Sequence, residues 1–76
     1  MKTYAFTKDT SENESGFSEL TEISIIASPQ QLREMARFLT IAAQEIEDMG
    51  EDFDHVHFQD RSDLWDNTWL EVIVMK

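Results

Sequence analysis

The stretch ASPQQLREMARFLTIAAQEIEDMG, Ala27 to Gly50, decides the fold, because it spells out both ends of a long helix. Ser28 is suited to the N-cap, Pro29 to the first helical position, and Gln31 to the place from which a capping-box side chain reaches back. Gly50 stands where a left-handed C-terminal cap belongs. Between them Leu32, Met35, Ala36, Leu39, Ala42, Ala43, Ile46 and Met49 recur at helical spacing. They predict a helix over 29–49 with that stripe turned to the core. Phe38 falls on the flank of the stripe, and Ile41 nearly opposite it.

On either side of the helix the period changes to two. Lys2 to Lys8 (KTYAFTK) alternates, with Tyr4 and Phe6 on one face. Asp9 to Ser18 is polar and reads as a loop. Glu19 to Ala27 (ELTEISIIA) alternates again, and its β-branched residues favour a strand. After the helix, Phe53 to Gln59 (FDHVHFQ) puts Val56 and Phe58 opposite Phe53, His55 and His57. Asp60 to Asn67 reads as a loop, and Thr68 to Met75 (TWLEVIVM) as a last strand with Leu70, Val72 and Val74 on its inner face. A single helix covers one sheet face, so the expected fold is α+β: a two-layer ββαββ domain with a four-stranded, mainly antiparallel sheet. The helix stripe is expected on Tyr4, Phe6, Ile23, Ile25, Val56, Phe58, Leu70, Val72 and Val74. The open face would carry Ala5, Glu22, Ser24, Ile26, Phe53, His55, His57, Trp69, Glu71, Ile73 and Met75. It is half apolar, which allows a second copy of the chain, or a partner, to cover it.

Seventy-six residues make one expected domain, 1–76, burying about 60–65% of its unfolded surface. Sixteen acidic residues against six Lys and Arg leave a net charge of −10. That balance argues against nucleic acid and anionic membranes, both of which draw on basic patches. No apolar run approaches the roughly 20 residues of a membrane span, and no signal-peptide core follows Met1-Lys2. The absence of cysteine excludes disulfides and thiolate metal sites and fits a reducing, cytoplasmic setting. A hydrophobic content of 41% sets the chain apart from disordered acidic segments.

Chemistry-bearing patterns are few. His55 and His57 project from one strand face with about 7 Å between their Cα atoms, a spacing that suits joint metal ligation. Glu71 is the obvious third ligand, and a small metal-binding protein or metal-dependent enzyme is the alternative this raises. The competing account is a pair of hydrogen-bonded surface histidines. Glu51-Asp52-Phe53-Asp54 lacks the ligand spacing and glycine of a calcium-binding EF-hand loop. No nucleophile and base are spaced for acyl transfer, and Gly16 and Gly50 stand alone without a phosphate loop. The chain therefore reads as a non-enzyme without cofactor, metal or catalytic residues.

The acids are more informative, since nine of the sixteen lie between Glu45 and Asp66, with Arg61 the one cation among them. Glu45, Glu47 and Asp48 crowd the helix C-terminus, where the macrodipole disfavours anions, and Arg33 lies near the N-terminus, where it disfavours cations. Repeated violation of a local rule in one place points to a purpose other than stability. A basic partner surface is such a purpose, because clustered charge speeds encounter and excludes wrong partners. Trp65, flanked by Asp63 and Asp66, has the setting of an interface anchor; the alternative is an indole folded back over the sheet edge. The candidate partner-binding residues are Glu51, Asp52, Asp54, His55, His57, Asp60, Asp63, Trp65 and Asp66.

Several of these segments also resemble a known family. Ala27-Ser28-Pro29 leads into Leu32-Arg33-Glu34-Met35-Ala36-Arg37-Phe38-Leu39, and Gly50-Glu51-Asp52-Phe53-Asp54-His55-Val56-His57 is followed by Asp60, a Trp-containing acidic loop and a terminal apolar strand. Together, over roughly Leu20 to Met75, they resemble the bacterial immunity protein 32 family, the Phe-x-His-x-His element being the most distinctive part. The resemblance implies a toxin inhibitor whose partner is a cognate protein toxin. An acidic, cofactor-free domain is what an inhibitor of a basic enzyme looks like.

Overall fold

The computed structural model describes residues 1–8 and 18–76, so the loop expected over Asp9–Ser18 lies, but for Ser18, outside them. The elements run β1 (Lys2–Thr7), β2 (Leu20–Ile26), α1 (Pro29–Met49), a 3-10 turn (Gly50–Asp52), β3 (His55–His57), α2 (Phe58–Arg61) and β4 (Ile73–Met75). Helix α1 has the bounds its sequence signals predict. The Gln31 amide donates to Ser28 Oγ (3.1 Å) and the Ser28 amide to Gln31 Oε1 (2.8 Å), closing the capping box. No helix among the described residues is long and apolar enough to cross a membrane.

At the other end, the Gly50 amide donates to the Ile46 carbonyl with φ 54° and ψ −123°. A Cβ added at Gly50 would meet nothing within 4 Å, so the obstacle to a side chain is backbone strain and not a clash. Gly50→Ala is expected to cost about 1–3 kcal/mol. It should lower the urea midpoint with an unchanged m-value.

The four strands do not form the single sheet expected from sequence. Among the described residues β1 pairs only with β2 and β3 only with β4, both antiparallel. The last strand is shortened from its N-terminal side, which accounts for the break. The Asp66 carboxylate accepts from the Thr68 amide (2.8 Å) and hydroxyl, and the Trp69 amide donates to the Asp66 carbonyl (3.0 Å). An Asp side chain that bonds the backbone two residues on makes a turn out of what the alternation suggests is strand. Next to it, the Leu70 amide meets Met1 Sδ at 3.4 Å, a weak acceptor where a continuous ladder needs a carbonyl. A second departure lies at Phe58, which leaves the strand conformation and opens α2, its amide held by the Val72 carbonyl (2.8 Å). The described residues therefore hold two α-helices.

The core lies between α1, β3–β4 and α2. Phe38 and Phe58 are fully buried and stacked with ring centroids 5.0 Å apart, and Trp69 lies 5.9 Å from Phe58. Met35, Ala42, Phe53 and Val56 complete the buried set, with Met1, Ile25, Trp65, Val72 and Val74 packed around it. Val56 faces Val74 across the ladder on the inner side, leaving His55, His57, Ile73 and Met75 outside as expected. Phe53 and Trp69, placed on the open face from sequence, belong instead to the core.

Helix α1 is turned about 80° from its expected orientation, counting 3.6 residues per turn. Of the apolar stripe only Met35 and Ala42 are buried, whereas Leu32, Leu39, Ile46 and Met49 remain exposed. The partner layer explains the rotation. It is a narrow two-stranded ribbon flanked by Phe58, on which the Phe38 ring stacks. The hairpin register also differs from the expected faces. Tyr4 opposes Ser24 and Phe6 opposes Glu22, so Tyr4, Phe6 and Ile26 share one side, and Ile23 and Ile25 the other.

Candidate functional site

The sequence-predicted residues flank the short strand β3 at both of its ends. Glu51 and Asp52 precede it in the 3-10 turn that follows α1 at Gly50, and Asp54 lies immediately before the strand. Asp60 lies on α2, and Asp63, Trp65 and Asp66 lie on the segment that follows. The three residues of β3 and the first two of α2, Phe58 and Gln59, separate the two groups. The C-terminus braces the first group, since the Lys76 ammonium donates to the Glu51 carbonyl (2.8 Å) and the Lys76 amide to the Asp54 carbonyl (3.0 Å).

The six carboxylates are exposed, but they differ in what holds them. His55 Nδ1 bonds Asp54, and Thr68 engages Asp66 in the turn described above. Among the described residues no ion pair engages Glu51, Asp52, Asp60 or Asp63. Arg61, the cation that sequence placed amid these acids, turns instead to Glu45 at 2.6 Å. That pair, and the Gln44 amide donating to Asp48 (3.0 Å), relieve part of the charge at the end of α1. They leave the acids beyond it uncompensated.

Trp65 is half-buried. Its indole N–H donates to the Leu70 carbonyl (3.0 Å), and its ring packs on the core. The ring thus fixes the acidic segment while remaining partly exposed. His57 Nδ1 lies 3.3 Å from Glu71, whose other oxygen accepts from the Gln59 and Val72 amides (3.1 and 2.9 Å). His55 and His57 meet edge to face with centroids 5.1 Å apart. Among the described residues no group of three or more His, Asp or Glu side chains is arranged to hold a metal ion. Glu71, offered from sequence as a metal ligand, is occupied in tying β3 and α2 to the segment before β4.

A cluster that sequence did not single out holds the acidic segment against α1. Glu34 pairs with Arg37 and accepts from Ser62 Oγ (2.9 Å), and Arg37 Nη2 donates to the Arg61 carbonyl (2.8 Å). The i,i+3 spacing of Glu34 and Arg37 was the available signal; its reach to Ser62, 28 residues on, was not. The Arg37 guanidinium, seconded by the Ser62 hydroxyl, holds the Glu34 carboxyl below its ordinary value of 4.5. Hydrogen bonds from Thr68 likewise hold Asp66 below 3.8. A lowered carboxylate contributes stability in full above its unfolded-state value and loses it as pH falls through the lowered folded-state value. Glu34→Gln is therefore expected to flatten the decline of the thermal midpoint below about pH 4.5. An acid limb identical to the parent's would show that the cluster contributes nothing.

This geometry offers an exposed, uncompensated anionic surface on a rigid backing. In comparison with known proteins, the family model described as Immunity protein 32 matches residues 22–72 of the chain. No curated protein and no solved structure shows a significant similarity to it.

Proposed function

The chain belongs to the immunity protein 32 family, and from that premise we propose that it neutralises a cognate bacterial toxin by binding it through its acidic surface. The proposed surface is Glu51, Asp52, Asp54, His55, His57, Asp60, Asp63, the exposed part of Trp65, and Asp66. The observation that carries this reading is the set of carboxylates left without an ion pair, while neighbouring Glu34 and Glu45 are committed to arginines. Like charges gathered without counter-charge repel one another in the free protein, and a basic partner relieves that repulsion on binding. The proposal is of a single domain, 1–76, acting in the cytoplasm as a stoichiometric blocker. It assigns no catalytic residue and no cofactor.

Inhibition of this kind is dominated by how fast the partner is captured and how slowly it leaves. Exposed charges act chiefly on the first quantity and are weakened by salt. Trp65, already ordered by the Leu70 carbonyl, adds apolar contact with little rotamer freedom left to lose. Co-expression tests the reading directly. Cells carrying the proposed cognate toxin should survive when the chain is supplied and arrest when it is withheld. Arrest in both cases, with the chain present in soluble form, would exclude the assignment.

A further inference from the structure

Asp60, Asp63 and Asp66 of the proposed acidic surface ride on one stretch of chain that has little regular structure of its own. Helix α2, which carries Asp60, has only four residues, far short of the length at which a helix holds itself together in water. Ser62, the next residue, is extended, with φ −133° and ψ 122°. Asp60 and Asp63 make no ion pair among the described residues. Their positions therefore follow from whatever fixes the backbone beneath them.

One flank of α1 fixes it. Arg37 Nη2 donates to the Arg61 carbonyl (2.8 Å), a terminal carbonyl of α2 that has no donor within its own helix. The same guanidinium pairs with Glu34. The second Glu34 oxygen accepts from Ser62 Oγ (2.9 Å), which accepts in turn from the Leu64 amide (3.2 Å). Arg61 is tied to the same flank through Glu45 (2.6 Å), because positions 34, 37 and 45 fall within about 80° of one another around a helix. The inner end of this relay is sheltered: Ser62 is buried and the Glu34 side chain is 11% exposed. Water competes poorly for hydrogen bonds in such a place. The relay thus fixes the backbone at Arg61, Ser62 and Leu64, on both sides of Asp63.

Arg37 acts on the surface in two ways of opposite sign. Its guanidinium is near enough to Asp63 for that carboxylate to help keep it charged. As a charge it opposes capture of a basic partner, so its removal should leave association unchanged or faster. As a planar fork it holds the segment still. A segment already ordered in the free chain loses less freedom on binding, and that saving is expressed in how slowly the complex parts. We infer that Arg37 and Glu34, acting through Ser62, are positioning residues for toxin binding. They lie outside the proposed contact set and set the dissociation rate by ordering Asp60–Asp66 before the toxin arrives, a role that rests on the acidic-surface reading above.

The test compares the full chain with Arg37→Ala, Arg37→Lys and Ser62→Ala, each binding the proposed cognate toxin immobilised on a sensor, and follows amide hydrogen exchange of the free chains. Arg37→Ala and Ser62→Ala should release the toxin about 10-fold faster, the scale of ordering one or two further side chains on binding. Arg37→Lys keeps the charge without the fork that serves Glu34 and the Arg61 carbonyl together, and should release as Arg37→Ala does. In the free variants the amides of Ser62, Asp63 and Leu64 should exchange faster while those in the middle of α1 keep the parent's rates. A global loss of stability would instead speed exchange everywhere, so the pattern separates positioning from folding. Parent-like dissociation in both Arg37→Ala and Ser62→Ala overturns the inference and leaves the acidic surface standing. Slower release by Arg37→Ala also overturns it, reducing Arg37 to a charge. A parent that captures no toxin removes the functional reading itself, and this inference with it. If Arg37→Ala fails to fold, Ser62→Ala decides the matter, since it changes no charge and leaves the Glu34–Arg37 pair whole.

Discussion

Phe38→Ala is expected to remove a large share of the chain's folding free energy at 25 °C. Phe38 is fully buried and stacked on Phe58, which itself touches Trp69, so its ring joins α1 to the segment that carries the acidic surface. Truncating a buried Phe to Ala costs about 3–5 kcal/mol, because the lost transfer energy is joined by the cost of the cavity. At 0.05–0.15 kcal/mol per residue, a chain of this length has about 4–11 kcal/mol in all. Few neighbours can collapse into the space, since the ribbon behind Phe58 is only two strands wide. Urea unfolding followed by tryptophan fluorescence reads the result through Trp65 and Trp69. The expected trace keeps one transition, with a midpoint far below the parent's. A loss under about 1 kcal/mol would mean that α1 packs by the Leu32–Leu39–Ile46 stripe after all, since only a peripheral aromatic is removed so cheaply.

The second large effect belongs to binding. A variant carrying Glu51→Gln, Asp52→Asn, Asp60→Asn and Asp63→Asn removes the carboxylates that have no ion pair among the described residues, and all four positions are exposed. Its fold should therefore be kept, with unfolding midpoints at or slightly above the parent's as repulsion falls. Association with the toxin should slow about 10- to 100-fold at low ionic strength, with a smaller change in dissociation. At high salt the two proteins should converge, because a Debye length of about 3 Å at 1 M screens the charges that distinguish them. Equal association rates at low salt would remove the acidic surface from the mechanism and leave the family assignment untouched.

The parts of this structure that were legible in sequence are those governed by local rules. Ser28 and Gln31 specify the start of α1 through bonds made within three residues, with Pro29 at its first position, and Gly50 ends it at a positive φ, though its ψ of −123° is not that of the left-handed cap expected. Val56 and Val74 could be placed inside, and Ile73 and Met75 outside, because a strand alternates wherever it forms. What could not be read was non-local. Which flank of α1 is buried depends on Phe58, twenty residues away, and the hydrophobic stripe alone favours the wrong flank. The single sheet was lost at Asp66 and Leu70, where a side-chain-bonded turn and the sulfur of Met1 take the place of ladder bonds.

The candidate site divides along the same line. That acids gather after Glu45 is plain in the sequence. Which of them keep their charge uncompensated depends on where two arginines turn. Arg61 stands among the acids in sequence and faces Glu45 in space. Arg37, at the middle of a helix, reaches the Arg61 carbonyl and holds that segment in place. Trp65 reads as an anchor or a folded-back ring with equal ease until the Leu70 carbonyl is located. The clustering of charge was legible because it is a property of composition; its availability to a partner is a property of packing.

The central claim is that this chain captures a basic toxin through that charge. The most direct measurement is the association rate of the purified chain with its proposed cognate toxin, taken between about 20 and 500 mM salt, where the Debye length shortens several-fold. Capture that abolishes toxin activity, with an association rate falling steeply as salt rises, is the predicted result. Absence of a complex at micromolar concentrations, or a rate indifferent to salt, would contradict it.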